Sequence, residues 1–369
     1  MTGLLLFLGA GASNAVGIPT MTKMVETLES QIGQKDEREL FVRIRDAIRS
    51  QDKPLDIEAL LSVVDAISKG RSARDLGHVV SYLVKEVHGG NPDVPVAARP
   101  GEGKVAARLM TTLRMRIREL CSPSGVRSGD PAVFGPFWDL LEKLAKVQGF
   151  AKAEMRGAST VVSCPIYTTN YDLAVESFFE GHHHLHDPFR DDDNTGVGIL
   201  PTSGGFRGGT LPQFLKLHGS LNWHWLDDGR IVKLRSPRTH VEGHKVGEEV
   251  MLYPVQQKDI AAYPWFELYA SFRDELRGAD TWIFVGYQFQ DEAIRGMVKE
   301  VLADRVHNGK SVRMLIISPH AMEVAERVAD KDPAILSAIK LVVGRFGDSA
   351  THDEVVRLLS PSELEFADK

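Results

Sequence analysis

The 369-residue chain is 43% hydrophobic and 25% charged, ordinary globular material with enough apolar mass for one large domain carrying an insertion, or for two. A formal net charge of -6 excludes a surface that is basic overall, as a dedicated nucleic-acid binder presents, and allows only a local basic patch. With Cys121 and Cys164 alone, neither a disulfide framework nor a four-cysteine zinc site can be built, so no zinc is expected and a reducing cytoplasm is the expected setting.

The first predicted element is a buried parallel strand, Leu4 to Leu8, that runs into Gly9-Ala10-Gly11-Ala12-Ser13 and then Gly17-Ile18-Pro19. This run is too short for a membrane helix, no later stretch approaches the roughly 20 apolar residues one needs, and no membrane partner is expected. Gly9 can take backbone conformations that other residues resist, and Gly11 lacks the Cβ that would hold a phosphate off the main chain. A helix starting here aims free N–H groups and a positive dipole end at the same point, which suits a pyrophosphate. Asn14 stands where the full dinucleotide fingerprint has its third glycine. Ordinary glycine-turn packing therefore stays open beside the nucleotide cradle.

Helical spacing follows over Met21 to Ile32, Leu40 to Ile48, Ile57 to Ile67, Leu76 to Val87 and Val105 to Leu120, with Gly89-Gly90-Asn91-Pro92 separating the last two. Residues 37–122 read as a helical insertion lobe, and residues 1–36 with 123–369 as a discontinuous core. Ser122 to Pro136 has linker composition and Phe137 to Val147 a helical period. A β-branched strand is expected from Ser159 to about Thr168, interrupted in composition by Pro165, and a helix from Tyr171 to Phe179. Gly181 to Gly209 reads as loop. Short strands follow at Phe214 to Leu217 and Met251 to Val255, with a hairpin over Trp223 to Leu234 turning at Asp227-Asp228-Gly229. The last third alternates strand and helix: Thr281 to Gly286, Asp291 to Leu302, Val312 to Ile317, Ala321 to Val328, and Ile339 to Val343. The expected fold is α/β, a Rossmann-like doubly wound parallel sheet with a helical insertion lobe.

Ligands of such sheets collect at the carboxyl ends of the strands. Predicted strands end there in Gly9-Ala10-Gly11-Ala12-Ser13, Thr169-Asn170-Tyr171-Asp172, Leu217-His218-Gly219-Ser220, Gly286-Tyr287-Gln288-Phe289 and Ile316-Ile317-Ser318-Pro319. This order of corners resembles the sirtuin-like (silent-information-regulator-like) family, in particular its bacterial antiphage-defence branch. The first segment with Gly17-Ile18-Pro19 resembles the family's first NAD loop. Thr169-Asn170-Tyr171-Asp172 resembles its Gln-Asn-Ile-Asp motif, Leu217-His218-Gly219 its catalytic histidine, and Gly286-Tyr287-Gln288 its Gly-Thr-Ser loop. Two departures stand out. No cysteine follows Cys164, where deacetylating sirtuins carry a zinc module, and Thr20-Met21-Thr22 replaces the Asp-Phe-Arg that follows Gly-Ile-Pro. The defence branch shares these absences.

The resemblance implies NAD as substrate, hydrolysed to ADP-ribose and nicotinamide, in a gated effector that depletes cellular NAD during abortive infection. It also implies homo-oligomers and, in some systems, a HerA-type ATPase or a nucleic-acid sensor as activator. Asn170 would orient the ribose and a water, Asp172 would hold the nicotinamide amide, and His218 would act as base; the implied NAD contacts are Gly9, Ala10, Gly11, Ser13, Pro19, Thr169, Gly286, Tyr287 and Ser318. The residue types suit the tasks, since asparagine offers donor and acceptor without charge and a histidine accepts a proton near neutral pH. Plainer roles are also open: a helix cap for Asn170, a core or turn histidine for His218, and a dipole partner for Asp172. An NAD-dependent protein deacylase and a non-catalytic NAD- or ADP-ribose-binding module are the alternative functions.

Other motifs lead nowhere. His182-His183-His184-Leu185-His186 has no acid or cysteine partner at ligand spacing. The run from Asp191 has Thr202 where a calcium loop needs glutamate, and Gly309-Lys310-Ser311 has Asp304 where a P-loop needs glycine.

Overall fold

A computed structural model describes residues 3–49, 57–70, 101–121, 135–136, 139–141, 143–144, 147, 154–156, 159–161, 164–179, 188–192, 196–201, 213–252 and 261–360. It divides into two compact units, Met1–Gly17 with Gly125–Met251 and Ile260–Lys369, and Ile18–Ser124 with Leu252–Asp259.

The strands of the first unit are β1 Leu4–Leu8, β2 Glu154–Arg156, β3 Ser159–Val161, β4 Ile166–Thr168, β5 Arg190–Asp192, β6 Val197–Ile199 and β7 Phe214–Lys216. They continue with β8 Gly219–Leu226, β9 Ile231–Leu234, β10 His240–Val241, β11 His244–Met251, β12 Thr281–Val285, β13 Arg313–Ile317 and β14 Ile339–Val342. The described helices, over both units, are α1 Ala10–Asn14, α2 Met21–Gln31, α3 Lys35–Arg49, α4 Ile57–Ser68, α5 Glu102–Cys121 and α6 Ala174–Phe179, then α7 Trp265–Gly278, α8 Glu292–His307, α9 Ala321–Ala329, α10 Pro333–Ala338 and α11 Ser349–Leu359.

Six strands form a parallel sheet in the order β14-β13-β12-β1-β4-β7, the Rossmann-like arrangement expected. The chain leaves β1 toward β4 and β7, then returns to β12 on the other side and continues outward. β1 is therefore the strand from which the winding reverses, and all five of its residues are buried. Phe7 on β1 packs on Phe272 of α7, with ring centroids 5.3 Å apart, and on Tyr287 at 4.6 Å. Tyr167 of β4 meets Phe272 at 5.1 Å, so one helix contacts two neighbouring strands through a single aromatic ring. Helix α7 carries no capping side chain and was not anticipated from the sequence.

The single strand expected from Ser159 to Thr168 is broken in two. Ser159–Val161 pairs antiparallel with β2, while Ile166–Thr168 joins the parallel sheet. Pro165 lacks an N–H, yet its carbonyl accepts from Leu6 N at 3.0 Å, so it serves only at the entrance of β4. The helix expected from Tyr171 begins at Ala174. Within the expected loop 181–209, Arg190–Asp192 and Val197–Ile199 form an antiparallel pair. These join β8 to β11 in a second sheet, order β10-β11-β8-β9-β6-β5, with an aliphatic core of Val197, Leu226, Val232, Leu234 and Val241. The hairpin turns where expected: Gly229 N donates to Leu226 O, and Leu226 N to Arg230 O. β11 runs from His244 to Met251, and residues 253–255 of the strand expected at Met251 to Val255 lie outside the described residues.

The second unit contains α2 to α5, whose buried faces carry Leu28, Phe41, Ile44, Leu60, Val64, Leu109 and Leu113. Pro19 and α2 belong to this unit, so it starts at Ile18 whereas the sequence reading placed the lobe's start at 37. The expected helix at 76–87 and the His182–His186 run lie outside the described residues. Among the described residues no helix is long and apolar enough to cross a membrane.

Candidate functional site

The site builds up at the carboxyl ends of β1, β4, β7 and β12. After β1, Gly9 is the N-cap of α1, and the helix brings Ser13 back over the strand end with only 3% of its surface exposed. After β4, Thr168 Oγ1 donates to Leu8 O at 2.7 Å and accepts from Asn170 N at 2.9 Å, which fixes the first corner to the second. The Asn170 amide then reaches across: Nδ2 donates to Gly9 O at 2.9 Å and to Ser13 Oγ at 2.7 Å. Because Gly9 O can only accept, the amide nitrogen must face it. Both amide hydrogens are thus committed, and the half-buried side chain retains its carbonyl oxygen for a further donor.

Ser13 Oγ passes its own proton to Asp172 Oδ2 at 2.7 Å. Asp172 Oδ1 accepts from Ala174 N at 3.0 Å, so Asp172 also starts α6. Gly9, Asn170, Ser13 and Asp172 therefore form one continuous hydrogen-bonded chain. The helix-cap reading of the corner belongs to Asp172, and Asn170 is directed elsewhere.

The glycines do something other than expected. A Cβ on Gly9 would lie 2.6 Å from Tyr287 Cα, and one on Gly11 would lie 2.7 Å from Gly286 Cα. Gly11 N donates to Gly286 O at 2.9 Å and Gly9 N to Val285 O at 2.8 Å. The space that sequence reading reserved for a phosphate beside Gly11 is taken by the main chain of the β12 corner. Gly286 itself adopts φ +60° there, a conformation open to glycine. Ser318, buried at the end of β13, accepts from His320 N at 3.1 Å and Gln288 Nε2 at 3.4 Å, tying the β12 corner to the β13 corner. Ala10 and Thr169 sit half-buried on the first two corners.

His218 follows β7 and is 3% exposed. Its Nε2 lies 2.9 Å from Asp291 Oδ2 and 3.1 Å from the Tyr269 hydroxyl. The Tyr171 ring stands 6.3 Å from the His218 ring, centroid to centroid, which sets the histidine beside the Asn170 to Asp172 corner. Gly219 has φ +80°, and a Cβ there would meet Val250 O at 2.0 Å.

Below this corner lies a charged group that the sequence reading missed. Lys216, 2% exposed, donates to Glu176 Oε1 and Ser220 Oγ at 2.8 Å each, to Tyr171 O at 3.3 Å, and to Asp172 O. Four acceptors share three ammonium protons. Burial holds the Glu176 carboxyl above its usual range, with the Lys216 charge opposing, and Glu176 Oε2 is buried without a hydrogen-bond partner among the described residues. The signal was a lysine inside the apolar run Phe214-Leu215-Lys216-Leu217, a position that buries a charge unless it is paired. Asp291 was legible only as a helix start, and Tyr269 carried no signal. Burial pushes the Cys164 thiol up to about 12, so it stays protonated near neutrality. Among the described residues no group of three or more His, Cys, Asp or Glu is placed to hold a metal.

Residues 165–336 match the SIR2-like domain. Asn170, Asp172, Lys216, His218, Tyr269 and Asp291 all fall inside the SIR2-like segment, and Ser13 precedes it. No curated protein matches the chain. Similar solved structures include two mutants of a Sir2 homologue in complex with ADP-ribose. One is 14% identical over 98% of this chain and 93% of that one, with a TM-score of 0.42; the other is 12% identical over the same shares, with 0.36. A third, from work on the mechanism and regulation of Sir2 enzymes, is 11% identical over 97% and 93% with a TM-score of 0.37.

Proposed function

We propose that the chain is an NAD glycohydrolase that breaks the bond between nicotinamide and ribose with water as the acceptor. The observation that carries this reading is the chain of hydrogen bonds Gly9-Asn170-Ser13-Asp172 beside His218, at the carboxyl edge of a parallel sheet and largely within the SIR2-like segment. Cleavage of such a bond passes through an oxocarbenium-like transition state. Nicotinamide is cationic while attached and leaves neutral, so a strong general acid is not required. The remaining tasks are to hold the ribose, orient a water and accept its proton.

Asn170 suits the first two tasks, because its nitrogen is locked onto protein acceptors and its oxygen remains to receive a hydrogen bond from water or a ribose hydroxyl. Asp172 has lone-pair capacity beyond its two present partners and takes the nicotinamide amide N–H. His218 accepts the proton. Gly9, Ala10, Thr169, Gly286, Tyr287 and Ser318 line the strand ends along which the dinucleotide lies. An enzyme of this kind active without restraint would empty its own cell of NAD, so the reading includes a gate. Assembly of copies, a HerA-type ATPase or a nucleic-acid sensor would supply it, in keeping with an antiphage effector in the cytoplasm.

The test is chromatographic detection of nicotinamide and ADP-ribose after the purified protein is incubated with NAD, alone, with cell extract as a source of activator, and with an acetyl-lysine peptide. Peptide-independent release of both products establishes the hydrolase. Release only with peptide makes the chain a deacylase, and silence in all arms makes it a nucleotide-binding partner protein.

A further inference from the structure

The geometry points to Asp291 as the positioning residue of this site and to Nδ1 as the nitrogen of His218 that takes the proton, an inference that rests on the hydrolase reading for its chemistry and on the structure for its geometry. Asp291 is the N-cap of α8, and its Oδ1 accepts from Ala293 N at 2.9 Å and Ile294 N at 3.2 Å. Two backbone donors at the positive end of a 16-residue helix favour the ionised carboxylate. An ionised carboxylate only accepts. The other oxygen, Oδ2, lies 2.9 Å from His218 Nε2, so Nε2 carries the hydrogen. The opposite tautomer would set a nitrogen lone pair against an anionic oxygen at that distance, with both residues buried. The Tyr269 hydroxyl oxygen, 3.1 Å from the same nitrogen, accepts a share of the same N–H.

A neutral imidazole protonated at Nε2 has its basic lone pair on Nδ1. In the hydrolysis, an O–H bond of water breaks and the proton goes to His218 Nδ1, while the water oxygen bonds to ribose C1′. The C1′–N bond breaks with its electron pair kept by nicotinamide. His218 becomes an imidazolium whose charge Asp291 offsets, and the proton then passes to solvent. The sum is NAD+ and water going to ADP-ribose, nicotinamide and one proton. Asp291 touches no reacting atom.

Asparagine and serine cap helices about as well as aspartate, so Asp291→Asn and Asp291→Ser keep α8 while removing the carboxylate. The full chain is labelled with nitrogen-15 histidine, and the His218 ring signals are assigned by their absence in His218→Ala. The expected result is a wild-type ring with Nε2 protonated and Nδ1 unprotonated. In Asp291→Asn, whose amide can donate to Nε2, the tautomer reverses and kcat falls roughly a hundred- to ten-thousand-fold with KM little changed. Asp291→Ser loses the Nε2–H preference and slows similarly. A wild-type ring protonated at Nδ1, or an Asp291→Asn protein that keeps both tautomer and turnover, overturns the assignment. Tautomers as stated in a protein that never cleaves NAD support Asp291 as the residue that positions His218 and instead overturn the hydrolase reading.

Discussion

The parallel sheet and the antiparallel sheet of the first unit differ in how their turns are held. At the carboxyl edge of the parallel sheet every corner is fixed by another strand's corner: Thr168 by Leu8, Asn170 by Gly9, Gly11 by Gly286, and Gln288 by Ser318. In the antiparallel sheet the tip between β8 and β9 is held by near neighbours in the chain: Leu226 and Asp228 bond Arg230, and the β10–β11 segment reaches it through Asp227 with His244 and Lys245 and Arg230 with Glu242, mostly at exposed side chains. A side chain held from two distant parts of the chain can be kept to the tolerance that chemistry demands, whereas a locally closed turn tolerates replacement.

That contrast can be broken most severely at Lys216. Lys216→Met leaves the Glu176 carboxylate and two main-chain carbonyls without their buried partner, and the urea midpoint is expected to fall by the equivalent of about 3–5 kcal/mol. Adding Glu176→Gln should restore part of that loss, which a pair worth nothing would not do. Gly219→Ala comes next. It forces a Cβ against Val250 O at a positive φ, and is expected to cost about 3 kcal/mol in the same measurement while displacing His218.

A smaller effect is pH-dependent. Glu176 is held above its usual 4.5, chiefly by burial. The folded protein therefore keeps this proton over a range where the unfolded chain has released it, so the contribution is full below 4.5 and is lost as pH rises through the folded value. Urea midpoints across that range should show this falling component in the wild type and lack it in Glu176→Gln. Least of all should happen in the antiparallel sheet: Arg230→Ala removes pairs with Asp228 and the exposed Glu242, each at 2.6 Å, and is expected to change stability by about 1 kcal/mol or less. A large loss there would erase the contrast.

The legible parts of the sequence were those with local causes. Leu4–Leu8, Thr281–Val285 and Arg313–Ile317 are apolar runs closed by small residues, and the parallel sheet follows from them. The second sheet was only partly legible because His244-Lys245-Val246-Gly247-Glu248-Glu249 shows no alternation of apolar and polar residues; its strand is held by pairing with β8. The candidate corners could be found by their residue types, but what each residue does depends on its partner. Gly11 reads as a phosphate cradle until Gly286 is seen against it, and Asp291 reads as a helix start until His218 is seen on its other oxygen. Sequence carries the first of each pair and leaves the second to the fold.

The most direct measurement of the central claim is the rate of nicotinamide release from NAD by Asn170→Ala beside the wild type, with circular dichroism confirming that both are folded. The account expects the variant to be slower by roughly a hundredfold or more. Equal rates would place the chemistry somewhere other than this corner.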